Sequence, residues 1–140
     1  MKRKKIVVVE DESIIGIMFK LMLEAKGYSV TGMASKGGDA ISLVETTRPD
    51  LVLMDIWLKG EMDGIETAMK IRKLYNTPIV FITADFSKET RKRADSVGHQ
   101  AYLKKPIRYE YLEYVVHSIF YKSVDYAKDA NALRNMMVQD

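Results

Sequence analysis

LVLMDIWLKGEMDGIE, residues 51–66, is the stretch whose reading decides the fold. Its first four residues, Leu51 to Met54, form an unbroken apolar run. That is the pattern of a strand covered on both faces in a parallel sheet, not of a strand with one wet face. The run stops on an acid, Asp55. A loop containing Lys59-Gly60 follows, and at Gly64 a helical pattern begins that carries to about Leu74, before Asn76-Thr77-Pro78 closes it. A buried strand leading through a loop into a helix is half of a β-α-β unit.

The same unit recurs on both sides. Ile6–Val9, Val30–Ala34, Ile79–Ile82 and Ala101–Leu103 are the other strand candidates, and the first and the Ile79 run are again continuously apolar. Helical patterns of about 10–14 residues separate them. The first spans about Ser13–Lys26 and stops at Gly27, a residue suited to the left-handed position after a helix. The second covers about Gly38–Thr47, ahead of Arg48-Pro49. Another covers about Ser87–Val97, with Ser87 as N-cap and Gly98 as terminator. The last covers about Arg108–Lys122, with Leu112, Val115, Val116 and Ile119 on one stripe. Five alternating β-α units predict a doubly wound α/β sandwich with a parallel sheet. In such folds ligands sit at the carboxyl ends of the strands.

Those ends are where the chemistry lies. The first strand runs into Glu10-Asp11-Glu12, the third into Asp55, the fourth into Thr83 and the fifth into Lys104-Lys105-Pro106. One acid at a strand end is ordinary solvated loop; acids, a hydroxyl and an amine at successive ends of one sheet suggest a site. Clustered carboxylates without cysteine or histidine favour a hard cation such as Mg²⁺. A cation and an ammonium together would neutralise a phosphoryl group. The central aspartate would then be the nucleophile, forming an acyl phosphate.

VVVEDE, LVLMDIWLKGEMDGIE, PIVFITA and AYLKKP together resemble the receiver domains of two-component response regulators, over about residues 4–122. The form is chemotaxis-regulator-like, with an LKG loop one residue longer than is commonest. The resemblance implies a flavodoxin-like sheet of order 2-1-3-4-5 with helices on both faces. It implies that Asp55 is the phosphoacceptor and that Asp11, with Glu10 beside it, Asp55 and the main-chain carbonyl of Trp57 hold Mg²⁺. Thr83, followed by small Ala84, matches the switch hydroxyl, Lys105 (not Lys104) the phosphoryl-binding lysine, and Tyr102 the aromatic that follows phosphorylation. Implied partners are a histidine kinase or phosphotransfer protein and a downstream protein target. A homodimer through the fourth helix, fifth strand and fifth helix is a further implied use of that face. The domain would fill residues 1–122, with 123–140 a helical extension or linker on the spacing of Tyr126, Ala130, Leu133 and Met137. It would be a stand-alone receiver or part of a longer regulator or hybrid kinase. It would not be an enzyme in the ordinary sense, but a domain that promotes its own phosphorylation and dephosphorylation.

Other classes fit less well. An aspartate-nucleophile phosphohydrolase needs an acid two residues after the nucleophile, and Trp57 transfers no proton there. A flavodoxin-type cofactor binder needs a phosphate-cradling first loop, which Glu10-Asp11-Glu12 would repel. The net charge is +3, but Lys2, Arg3, Lys4 and Lys5 supply four of the positive charges, so direct nucleic-acid binding is not expected. No apolar run approaches the roughly 20 residues of a membrane span. With no cysteine, the chain reads as cytoplasmic.

Several surface features are read against plainer alternatives. Trp57 is large for a place bordering a phosphoryl group: packing on its loop is the plainer reading, and limiting water access the sharper one. Lys88, Arg91, Lys92 and Arg93 make the fourth helix basic, and the fifth offers Glu110 and Glu113: a solvated face is the plainer reading and cross-subunit ion pairs in a dimer the sharper one. The first helix has more apolar residues than one face can bury, and its outer side is expected to meet a partner. Tyr109, Tyr111, Tyr114 and Tyr121 make a similar surplus on the fifth. His99 and His117 are expected at the surface.

Overall fold

The computed structural model describes residues 2–121. They divide into two units, one ending at Lys105 and the other starting at Pro106. The first unit contains β1 (Lys5–Val9), α1 (Ser13–Ala25), β2 (Ser29–Ala34), α2 (Gly37–Thr47), β3 (Leu51–Asp55), α3 (Gly64–Leu74), β4 (Ile79–Thr83), α4 (Lys88–Val97) and β5 (Ala101–Lys104). The second contains α5 (Tyr109–Tyr121). The extension expected over residues 123–140 lies outside the described residues.

All strand pairs are parallel, and the order is β2-β1-β3-β4-β5. Burial explains why the sequence shows it so plainly. The three continuous apolar runs are the three central strands, β1, β3 and β4, and β3 and β4 are buried at every residue. The edge strands β2 and β5 carry half-exposed positions and correspondingly mixed sequences. Alternation along the strands then divides the core in two. Val7, Val9, Val52, Met54, Ile79 and Phe81 share one cluster with Ala40 and Val44 of α2, Ile65, Ala68 and Ile71 of α3, and Ala94 of α4. Ile6, Val8, Leu53, Val80 and Ile82 are equally buried and point to the opposite face, the side of α1, whose Phe19 and Leu23 are buried. Helices therefore cover both faces, as expected.

The helix ends follow local chemistry. Gly27 has φ +93°, and the Gly27 and Tyr28 amides donate to the Glu24 and Leu23 carbonyls, a Schellman closure of α1. The Ser87 side chain accepts the Thr90 amide and caps α4. At α3 a reciprocal capping box forms: Asp63 Oδ1 accepts the Glu66 amide at 2.8 Å, and Glu66 Oε1 accepts the Asp63 amide at 3.2 Å. In α5, Leu112, Val115, Val116 and Ser118 are buried and Ile119 is half-buried.

Candidate functional site

The carboxyl edge of the sheet gathers the expected residues. Asp55 is the last residue of β3 and Thr83 the last of β4, while Glu10 directly follows β1 and Lys105 directly follows β5. The register pairs Asp55 with Ile82 and Thr83 with Lys104, so the strands end close to one level. The Lys105 amide donates to the Thr83 carbonyl at 2.9 Å, extending the pairing to the residue whose side chain enters the site. Gly64 fixes the other side of β3. Its amide donates to the Ile56 carbonyl at 2.6 Å, and a Cβ there would collide with the Asp55 carbonyl oxygen. The Asp63-Gly64 pair of the opening sequence is thus both a helix cap and a point of closest backbone approach.

Within this frame charges are buried. Asp55 is 5% exposed and Glu10 6%. Lys105 Nζ donates to Asp55 Oδ2 at 3.1 Å and lies 2.7 Å from Glu10 Oε1. Its well-directed bond goes to Asp55, so Glu10 Oε1 is buried without an aligned donor. Oε2 of Glu10 accepts the Glu12 amide at 3.2 Å. Burial and then the adjacent Glu10 push the Asp55 carboxyl up to about 7, with Lys105 opposing them only in part. Burial acts the same way on Glu10, but its contacts with Asp55, Lys105 and the Glu12 amide outweigh it and leave Glu10 below its ordinary value. Burial weakens the Lys105 ammonium, yet the two carboxylates outweigh that and raise its pKa.

Asp11 joins this pair. One oxygen from each of Glu10, Asp11 and Asp55 lies within 4.8 Å of the others. The donors are all oxygens, one is buried without an aligned partner, and the cluster carries more negative charge than Lys105 offsets. These residues fit a hard divalent cation.

The response regulator receiver domain family model matches residues 6–117. The chain belongs to the response regulator receiver family. It is 37% identical over 103 residues to the transcriptional regulatory protein PdtaR of Mycobacterium tuberculosis, a match covering 74% of this chain and 50% of PdtaR. The chain therefore spans about half the length of the curated relatives it matches. Among solved structures it resembles the signal receiver domain of a modulated diguanylate cyclase from Desulfovibrio desulfuricans G20. That match has 34% identity and a TM-score of 0.80, covering 86% of this chain and 96% of the other. A CheY-like receiver domain protein from Methanospirillum hungatei JF-1 gives a TM-score of 0.81 at 28% identity, with the same coverage.

The chain is thus a receiver domain, a phosphorylation-activated signalling switch of two-component systems, and the phosphohydrolase alternative falls away. Receiver domains interact with histidine kinases and downstream effectors. Among the described residues, no helix is long and apolar enough to cross a membrane.

The structure brings Glu10, Asp11, Asp55 and Lys105 of this receiver together directly. Thr83 stands one strand over and is fully buried, and its Oγ1 accepts the Asp85 amide at 3.0 Å. The Tyr102 hydroxyl donates to the Asp85 carbonyl at 2.9 Å, and its ring meets Phe81, Phe86 and His99 under the Arg91 guanidinium. Trp57 lies just beyond β3 and is 49% exposed.

Two residues carry more than the sequence reading gave them. Asp85 has a pKa held down to about 2 by the Ser87 amide, with the Thr90, Ser87 and Trp57 side chains also contributing. The signal was present as Asp85 two residues before the N-cap Ser87, a usual side-chain-to-backbone turn. His99 departs from the surface expectation. Its side chain is 11% exposed, Nε2 meets Asp95 Oδ1 at 2.7 Å, and the ring packs edge-on against Phe81. The apolar neighbours come from other strands, so local sequence does not show them. His117 is exposed, as expected.

Proposed function

We propose that Asp55 is the phosphoacceptor of this receiver. Its carboxylate attacks the phosphorus of a phosphohistidine on a histidine kinase or phosphotransfer protein; the P–O bond forms, the P–N bond breaks, and the imidazole leaves. The carrying observation is Lys105 Nζ, hydrogen-bonded to buried Asp55 Oδ2 and poised beside the place where phosphoryl charge would arrive. Glu10, Asp11 and Asp55, with the main-chain carbonyl of Trp57, would hold Mg²⁺. When bound, that ion supplies neutralisation of carboxylate and phosphoryl charge. Lys105 orients the acceptor oxygen and then a phosphoryl oxygen. Thr83 supplies a hydroxyl to another, and Tyr102 follows the loop that Thr83 moves.

In this reading the domain fills residues 1–122 and promotes its own phosphorylation and dephosphorylation in the cytoplasm. Its signal is a changed protein-binding surface, used for a downstream target or a homodimer. On α1, Ile14 is 74% exposed and Leu21 61%, with Ile17 and Met18 exposed between them. This i, i+3, i+4, i+7 stripe suits an apolar helical surface on the phosphodonor. On the fourth helix much of the charge is engaged within the chain: Arg91 pairs with Asp95 and Arg93 with Asp63.

Incubation with acetyl phosphate and Mg²⁺ tests the assignment. Intact mass should rise by one phosphoryl group in the wild type, and not in Asp55→Asn or in the presence of excess chelator. Modification of Asp55→Asn at the wild-type rate, or repeated turnover of a phosphomonoester, overturns it.

A further inference from the structure

Outside the charged corner, one side-chain bond joins the two loops that flank Asp55. The indole Nε1 of Trp57 donates to Asp85 Oδ2 at 3.1 Å, across 28 residues of sequence. The same oxygen accepts the Thr90 hydroxyl at 2.7 Å from within the first turn of α4. Asp85 Oδ1 accepts the Ser87 amide at 2.9 Å. Its backbone holds Thr83 Oγ1 through the amide and the Tyr102 hydroxyl through the carbonyl. One residue therefore touches the switch hydroxyl, the switch aromatic, the start of α4 and the ring that follows the acceptor.

Trp57 has little freedom to absorb movement. Its neighbours Ile56 and Leu58 are buried, and the Ile56 amide is tied to the Ile82 carbonyl at 3.2 Å. The ring itself is half in water, and its N–H is its one polar handle. A displacement of the backbone after Asp55 must either carry the indole, and with it Asp85, or break the bond. Asp85 in turn cannot shift without disturbing the two bonds that order the first turn of α4.

We infer that the Trp57–Asp85 hydrogen bond is a positioning link that carries the state of Asp55 to the start of α4, alongside the path through Thr83 and Tyr102. The inference rests on Asp55 being the acceptor. Coupling of this kind is reciprocal, so altering the α4 end must also be felt at Trp57.

The test uses the full chain with Mg²⁺ and beryllofluoride, a phosphoryl mimic. Trp57 is the single tryptophan, so its emission reports directly on the link. In the wild type, beryllofluoride should change both the emission and the deuterium uptake of residues 87–91. Trp57→Phe keeps a ring but no donor; at mimic concentrations that give it the same occupancy as wild type, read by fluorine NMR, it should lose most of the change at 87–91. Asp85→Ala should shift the emission without the mimic and lose the same response, and Asp85→Asn, which keeps an acceptor oxygen, should recover part of it. Thr90→Val, altered only at the α4 end, should change the emission response. An undiminished response at 87–91 in both Trp57→Phe and Asp85→Ala, with the mimic bound, overturns the link and leaves the acceptor assignment standing. Failure of the wild type to bind the mimic, or equal binding by Asp55→Asn, overturns the acceptor assignment and the link with it.

Discussion

Two corners of the same sheet edge are built on opposite principles. Around Asp55 three carboxylates and one ammonium are drawn together, and two of the carboxylates are nearly excluded from water. The result is a set of charges that do not balance: Asp55 is pushed up to about 7, and a Glu10 oxygen lacks an aligned donor. Around Asp85, polar groups stand nearer to water and are matched: its carboxylate accepts three hydrogen bonds. The first corner gains from an incoming cation and phosphoryl group. The second already has its partners and can only change by exchanging them. A switch needs both, one region that is unfinished and one whose completed bonds register the finishing.

The contrast can be broken at its strongest point by Lys105→Ala. Removing the ammonium leaves Asp55 and Glu10 facing each other in a buried setting, which should cost about 3 kcal/mol in urea denaturation at pH 7. Added Mg²⁺ should restore part of it. A loss below about 0.5 kcal/mol would mean the corner is far better solvated than its burial suggests.

Next in size is the pH dependence of Asp55. Its folded pKa of about 7 lies above the ordinary 3.8, so the native state binds this proton more tightly than the unfolded chain. The stability associated with the proton is complete below about pH 4 and is lost as pH rises through about 7. Without divalent cation, Asp55→Asn should remove that slope and be more stable than wild type at pH 8 by about 2 kcal/mol. Identical wild-type and variant stability profiles from pH 5 to 8 would refute this, on a scale of about one pH unit per 1.4 kcal/mol.

The satisfied corner should yield smaller effects. Ser87→Ala removes the N-cap of α4 and should cost about 1 kcal/mol, read in thermal melts, with no change in the pH slope. Smallest is Arg93→Ala. Its 2.7 Å pair with Asp63 is partly in solvent on the arginine side and should contribute about 0.5 kcal/mol or less, falling further in high salt.

Much of this was written in the sequence, for definable reasons. A strand buried on both faces has no polar position to spare, so β1, β3 and β4 stand out as unbroken apolar runs and their terminal residues are marked by contrast. Asp55 and Thr83 are legible because each interrupts such a run. Strand order came from family resemblance, since periodicity says which face is covered but not which strand is adjacent. The turn from Asp85 to Ser87 was legible, but the bonds of Asp85 to Tyr102 and Trp57 were hidden because those partners lie 17 and 28 residues away. His99 was misplaced for a related reason. Its ring lies edge-on against Phe81 of β4, a neighbour that the sequence around His99 does not announce.

The close approach of Gly64 to the Asp55 carbonyl has a practical meaning for anyone wishing to retune this switch. It makes the intervening segment a span between two posts, the end of β3 and the start of α3, and the second tolerates no side chain at Gly64. A short cassette around exposed Lys59 and Glu61 can therefore be varied in a library, while buried Leu58 and the posts hold the acceptor in place. Cassette variants that alter timing without altering fold would turn one scaffold into a graded series of molecular clocks.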